Sequence, residues 1–204
     1  MIDLYAWTTP NSRKVTIMLE ETGLPYTLHS VRIRQGEQHT AEFLALNPNN
    51  KIPVLVDQET SIQTFESGAI LIYLAEKTGM LMPESGQARA STLQWLMWQM
   101  SGFGPMLGKV EHFSKLNPGK SAYAETHFQT EALRLYQVLN GRLDETPFLN
   151  GVGYSIADIA TWPWVAAHDW QQIDLNNYPA VSRWYKEIKV RKAVKKAMEA
   201  PETG

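Results

Sequence analysis

The apolar pattern changes character near residue 80, and that change constrains the fold more than any single motif. Before it, short β-type runs alternate with helical spacing. Ile2–Trp7 is a compact run of the first kind, broken by the turn chemistry of Thr8-Thr9-Pro10-Asn11. Val15, Met18, Leu19 and Thr22 then recur at helical spacing, and Gly23 supplies the stop. Tyr26–Ile33 reads as a second strand and Ala41–Leu46 as a short helix ended by Asn47-Pro48-Asn49-Asn50. Pro53–Asp57 and Ser61–Phe65 read as two short strands, and Ser67–Thr78 as a helix with Ile70, Leu71, Leu74 and Ala75 on one face. The order βαβ, α, ββα predicts a mixed sheet with helices on its faces. After the segment Met80–Gly86 only helical periodicity remains, in Ala88–Met100, Tyr123–Leu143, Ser155–Ala167 and Tyr178–Ala200. The expectation is an α/β N-terminal domain over 1–81 and an all-α C-terminal domain over 87–204.

At 204 residues, roughly 70% of the unfolded surface can be buried, enough for a core without covalent staples. The chain has no cysteine, so disulfides, zinc–thiolate sites, iron–sulfur clusters and a protein thiol nucleophile are excluded within it. A formal charge of -2 argues against a dedicated nucleic-acid binder. No apolar run approaches the ~18 residues of a membrane span, and Met1-Ile2-Asp3-Leu4 shows no secretory pattern, so a cytoplasmic location away from membranes is expected.

Three segments carry chemistry. In Asn47–Leu55, a cis bond at Ile52–Pro53 would turn the backbone of Ile52 outward, ready to pair with a peptide ligand as an added strand; the alternative is an ordinary strand-initiating proline. In Phe65–Ile70, Ser67 sits where an N-cap belongs, and a helix N-terminus holds a carboxylate while Glu66 beside it suits an ammonium. Together they would take an amino acid's α-carboxylate and α-amine; the alternative is a capped helix with an exposed Glu. In Thr8–Ser12, the Thr9 hydroxyl and Asn11 amide are neutral donors at the mouth of a helix beyond a strand end, where they either stabilise an anion or merely cap.

These segments, in this order, resemble the glutathione transferase family over essentially the whole chain. The first domain is similar to its thioredoxin-like domain and the second to its all-helical domain. Ser155-Ile156-Ala157-Asp158 matches the family's structural N-cap inside the helical domain. Thr9-Pro10-Asn11, Asn47–Pro53, Phe65–Gly68, Leu93-Gln94-Trp95 and Gly104–Gly108 resemble the nu-class bacterial members, which are disulfide-bond reductases. The resemblance implies that Glu66 and Ser67 bind the γ-glutamyl end of glutathione, that Ile52 before Pro53 pairs with its cysteinyl residue, that Lys51 and Gln38 approach its glycyl carboxylate, and that Thr9 and Asn11 face the sulfur. Ser12 is a minor rival for the sulfur. The resemblance also implies a homodimer, no metal, and room for two glutathiones or one glutathione disulfide.

A free thiol titrates near 8.5, and lowering that value by about two units corresponds to roughly 2.7 kcal/mol. One or two hydrogen bonds to the anion plus a helix N-terminus are of that size, so holding the thiolate requires no general base. Without a protein cysteine, the bound glutathione must itself attack a disulfide or peroxide, and a second glutathione must resolve the product. Conjugation to electrophiles is expected as a side activity; the alternatives are a transferase whose main reaction is that conjugation, and a non-catalytic glutathione-binding regulatory protein that retains the fold. For the second molecule His127 and Arg134 on the helix 123–143 are candidate contacts, with His112 and Lys115 before it. Gly102, Gly104, Gly108 and Pro105 are expected to interrupt a long helix and open the cleft, with Phe103, Met106 and Leu107 either along its walls or in the core.

Overall fold

The computed structural model describes residues 1–199 and divides into two compact units. One comprises Met1–Met80 together with the described residues from Arg191 on; the other is Leu81–Val190. The chain's last described helix belongs with the first unit, not with the helical one. The end of the expected helix at Ala200, and the rest of the domain to residue 204, lie outside the described residues.

The first unit is built on a four-stranded sheet of order β2-β1-β3-β4. Its strands are β1 (Ile2–Ala6), β2 (Tyr26–Ser30), β3 (Val54–Asp57) and β4 (Ile62–Phe65). β1 runs parallel to β2 and antiparallel to β3, and β3 is antiparallel to β4. This is the mixed sheet the element order implies. Helix α1 (Pro10–Thr22) links β1 to β2, α2 (Ala41–Leu46) precedes β3, and α3 (Ser67–Thr78) follows β4. Gly23 and Gly79 end α1 and α3 at φ 69° and 67°, the left-handed geometry that favours glycine. Leu4, Val15, Met18, Leu55, Ile70 and Leu74 are fully buried in its core. β2 is shorter than expected: from Ile33 the chain forms two short 3₁₀ turns, Ile33–Gln35 and Glu37–His39.

The expected helix from Tyr178 is two helices, α8 (Pro179–Lys189) and α9 (Lys192–Glu199). α8 buries Trp184 and Ile188, whereas α9 buries Val194 and Ala197. Six residues beyond Ile188 is about 240° around a helix, so one straight helix would turn Val194 away from the face that Ile188 buries. The break lets α9 lie along α1. Arg191 forks onto Glu21 at 2.6 and 2.8 Å, Lys196 pairs with Glu20 at 2.7 Å, and Arg13 donates to the Ala197 carbonyl.

In the helical unit, α4 (Gly86–Trp98) runs on without interruption through a π turn at Gln99–Phe103, α5 (Gly104–Val110) and a second π turn at Glu111–Leu116. The glycines and Pro105 therefore do not break the helix. The wide turn precedes Pro105, whose missing N–H and bulky ring an ordinary turn tolerates poorly. Gly104 lies in a tight contact: a Cβ there would stand 2.7 Å from Gln99 Nε2 and 3.3 Å from Trp164 Nε1, so the Gln99 amide would have to shift. Phe103 is fully buried, its ring stacked on Trp98 and tilted against Tyr136, and Leu107 is also fully buried. Both are core side chains, which settles the alternative for the core and corrects the expectation that they line a cleft.

Helices α6 (Ala122–Glu145) and α7 (Ile156–Val165) complete this unit. Asp158, fully buried, accepts from the Ser155 N–H and hydroxyl through one oxygen, and from the Leu149 N–H and Trp184 Nε1 through the other. Burial pushes its carboxyl up to about 6 against the pull of these donors. The Ser155–Asp158 motif is the structural cap that the sequence suggests.

Candidate functional site

A pocket of about 160 Å³ in the first unit is lined by Asn11, Asn47, Lys51, Ile52, Pro53, Glu66 and Ser67. Three separated stretches thus meet at the start of α1, the turn before β3 and the start of α3. Five of the six residues predicted to bind glutathione are here, together with Asn11.

The turn is shaped by Asn47, which is almost fully buried. Its side-chain amide donates to the Lys51 carbonyl at 2.7 Å, its side-chain oxygen accepts from Asn49 N–H at 2.9 Å, and its carbonyl accepts from Asn50 N–H at 3.0 Å. The Ile52–Pro53 bond is cis. Ladder pairing begins only at Val54, so the backbone N–H and C=O of Ile52 carry no partner among the described residues. The sequence marks Asn47 as a helix end and as the head of the Asn47–Pro53 motif but gives its side chain no role; an Asn four residues before Lys51 in a turn-rich run is the signal of a self-bonded loop.

At α3, the helix begins at Ser67 and Glu66 is its N-cap residue. Ser67 is therefore the first helical position and not the cap, as its place before the apolar period had suggested. Glu66 has φ 71° and ψ 114°, a strained backbone for a residue with a Cβ, costing on the order of 1–3 kcal/mol. The Glu66 side chain makes no capping hydrogen bond to the helix start. The Glu66 side chain is exposed, while Ser67 is 3% exposed and its Oγ accepts from Lys14 Nζ at 3.3 Å.

At α1, Asn11 lines the pocket while Thr9 does not. Thr9 is the N-cap: its hydroxyl oxygen accepts from Ser12 N–H at 3.3 Å and its proton goes to Ser12 Oγ at 3.1 Å. Ser12 is 1% exposed and its oxygen also accepts from Trp7 N–H at 3.4 Å, which removes it as a rival. The predicted pair thus separates, with Asn11 in the pocket and Thr9 holding the helix mouth. Gln38 also lies outside the lining. It sits in the 3₁₀ turn beside His39, whose Nδ1 lies 3.2 Å from the Asn50 amide, next to Lys51.

His127 and Arg134 are exposed on α6. His127 stacks on Tyr123 at 5.7 Å, and Arg134 forks onto Glu131 with two 2.7 Å hydrogen bonds. His112 and Lys115 are exposed too, Lys115 with its ammonium 5.3 Å from the Trp170 ring centre.

Comparison with known proteins gives the family. Residues 8–77 match the family model for the glutathione S-transferase N-terminal domain, and residues 103–191 match that for the C-terminal domain. The chain belongs to the glutathione S-transferase family of enzymes. It is 49% identical to the disulfide-bond oxidoreductase YfcG of Escherichia coli, across 100% of this chain and 97% of that protein. It is 42% identical to the oxidoreductase YghU of the same organism, across 96% of this chain and 73% of that protein. Among solved structures, a glutathione transferase from Burkholderia graminis with two glutathione molecules bound per subunit superposes with a TM-score of 0.92 at 42% identity, covering 100% and 89% of the two chains. One from Pseudomonas putida with a glutathione disulfide bound gives 0.89 at 38% identity, covering 98% and 91%. Among the described residues no helix is long and apolar enough to cross a membrane.

Proposed function

We propose that the protein is a glutathione-dependent disulfide-bond reductase in which the thiolate of bound glutathione is the nucleophile. The observation that carries this reading is the pocket itself. It gathers an uncapped helix start with Ser67, the Glu66 carboxylate, an unpaired strand-like backbone at Ile52 and a neutral amide donor at Asn11. These suit, in turn, a carboxylate, an ammonium, a peptide backbone and a thiolate, four of the features of γ-glutamyl-cysteinyl-glycine. Lys51 and Gln38 take the glycyl carboxylate by charge and amide donation. Thr9 supports the site by setting the α1 mouth, where the helix dipole favours the anion.

The thiolate of one glutathione attacks a disulfide sulfur, forming a mixed disulfide and releasing one thiolate of the substrate, which takes a proton. A second glutathione attacks the glutathionyl sulfur of that mixed disulfide, yielding glutathione disulfide and the second substrate thiol. No cysteine of this chain takes part, since it has none. The reading is supported by the relatives with two glutathiones or one glutathione disulfide bound and by the oxidoreductase names of those most similar in sequence. His127 and Arg134 contact the second molecule. Action on small disulfides or peroxides, weaker conjugation to electrophiles, a homodimeric state and a cytoplasmic location belong to the same proposal and rest on family membership.

Asn11→Ala should lower kcat/KM for hydroxyethyl disulfide with glutathione by about a hundredfold, the scale of losing an oxyanion-type donor, with little change in glutathione affinity. Turnover undiminished in Asn11→Ala combined with Thr9→Ala ends the assignment of the sulfur contact. Faster conjugation of a chloronitrobenzene than reduction of the disulfide makes the protein a conjugating transferase instead.

A further inference from the structure

Lys14 is the one lysine of α1 and lies 1% exposed, among the largest fully buried side chains of the molecule. A lysine is rarely buried without a function or a partner. Its ammonium donates to Ser67 Oγ, 3.3 Å away on α3, within the buried interior. An ammonium has donors only, so the serine oxygen must accept here and its own proton must point elsewhere.

We infer that Lys14 is a positioning residue for the ligand's γ-glutamyl carboxylate: from behind Ser67 its ammonium fixes the serine hydroxyl as a donor toward the pocket and adds the buried positive charge that the uncapped helix start alone lacks. The inference rests on the proposed glutathione site and assigns a second layer to it.

The charge on Lys14 depends on what stands in front of it. Burial pushes the ammonium down to about 7, with the Glu66 carboxylate pulling the other way. Other charges on the neighbouring elements are engaged. On β3, Asp57 is held by Lys77 and Tyr73, and on β1, Asp3 by His29 and Gln58. On α1 itself Glu20 and Glu21 pair with Lys196 and Arg191 of α9. Lys51 faces the pocket, is exposed, and as a like charge would favour the neutral amine. Adding a carboxylate beyond Ser67 favours the ammonium, so binding takes up a proton near neutrality. At higher pH the neutral amine can accept from Ser67, which reverses the hydroxyl and withdraws its donor from the ligand. Carboxylate binding therefore weakens as pH rises through the Lys14 titration.

S-methylglutathione is the probe, because it has no thiol to titrate. Calorimetry near pH 7 in buffers of different ionisation enthalpy should show net proton uptake by the wild-type protein. Affinity should fall about tenfold for each unit by which the ligand raises the lysine titration. Lys14→Met should abolish that share of the uptake and flatten the pH profile, a change that simple loss of packing would not produce. In the wild-type protein, the Nζ resonance of ¹⁵N-labelled lysine that titrates near neutrality should move upward on saturation, which needs no variant. Binding without proton uptake, an unmoved resonance, or uptake retained in Lys14→Met overturns the inference while leaving the glutathione site standing. No binding of S-methylglutathione at all overturns the site itself and the inference with it.

Discussion

Two helices in this protein start with a serine beside an acidic residue, and they use the pair in opposite ways. At α7, Ser155 and Asp158 satisfy one another, and Asp158 gathers two further donors until nothing is left for a ligand. At α3, Glu66 precedes Ser67, reaches its place through a strained backbone, and leaves the helix start without a side-chain cap beside a pocket. The spacing explains the difference. An acid three residues into a helix folds back onto the cap residue, whereas Glu66, at the cap position with its backbone at φ 71°, makes no capping hydrogen bond. A closed helix start stabilises a fold, and an open one is available to an anion.

Asp158→Asn gives the largest effect that would sharpen this contrast. Whichever way the amide turns, its NH₂ meets at least one N–H donor that cannot reverse, so the variant should lose about 3 kcal/mol in urea unfolding, with binding at the other helix start unaffected once folded. An unchanged midpoint would mean the buried carboxylate is not the hub of the cap. Ser67→Ala is the converse case. It should weaken binding of S-methylglutathione about tenfold, by loss of one hydrogen bond to a charged group, while stability falls by only about 1 kcal/mol through the acceptor lost to buried Lys14. A large drop in stability with unchanged affinity would make the two starts alike and break the comparison. The smallest effect is expected at Arg134→Ala. Its exposed pair with Glu131 is worth about 0.5 kcal/mol or less, so stability should hold and only the second glutathione, followed in oxidised-glutathione titrations, should bind a few-fold more weakly.

The fold was largely legible because strong periodicities with explicit stops leave few choices. The helices at Ala41–Leu46 and Ser67–Thr78 begin and end where the sequence places them. The readings around Phe103 and after Tyr178 went astray for related reasons. Glycine and proline in Gly102–Gly108 were read as local breakers, yet Gly104 answers to the Trp164 and Gln99 side chains beside it, and Pro105 follows a widened turn. The division of the last helix depends on which unit Val194 and Ala197 pack in, which no local window contains. At the site, Asn11, Lys51, Ile52, Pro53, Glu66 and Ser67 were recoverable from motifs, whereas the Asn47 side chain and Lys14 were given no role. Lys14 looks like any lysine on an amphipathic helix until α3 is packed over it.

The amino-acid sequence alone determined the order and type of the elements, the absence of a thiol, and the residue types able to recognise a γ-glutamyl peptide. These follow from local preference and composition, which the chain carries before it folds. Tertiary structure decided which of those residues meet, that Thr9 spends its hydroxyl on Ser12 while Asn11 lines the pocket, and that a lysine lies buried behind a serine 53 residues away. Such pairings arise only when separate elements exclude water together, because burial makes one buried charge and the oxygen beside it matter to each other.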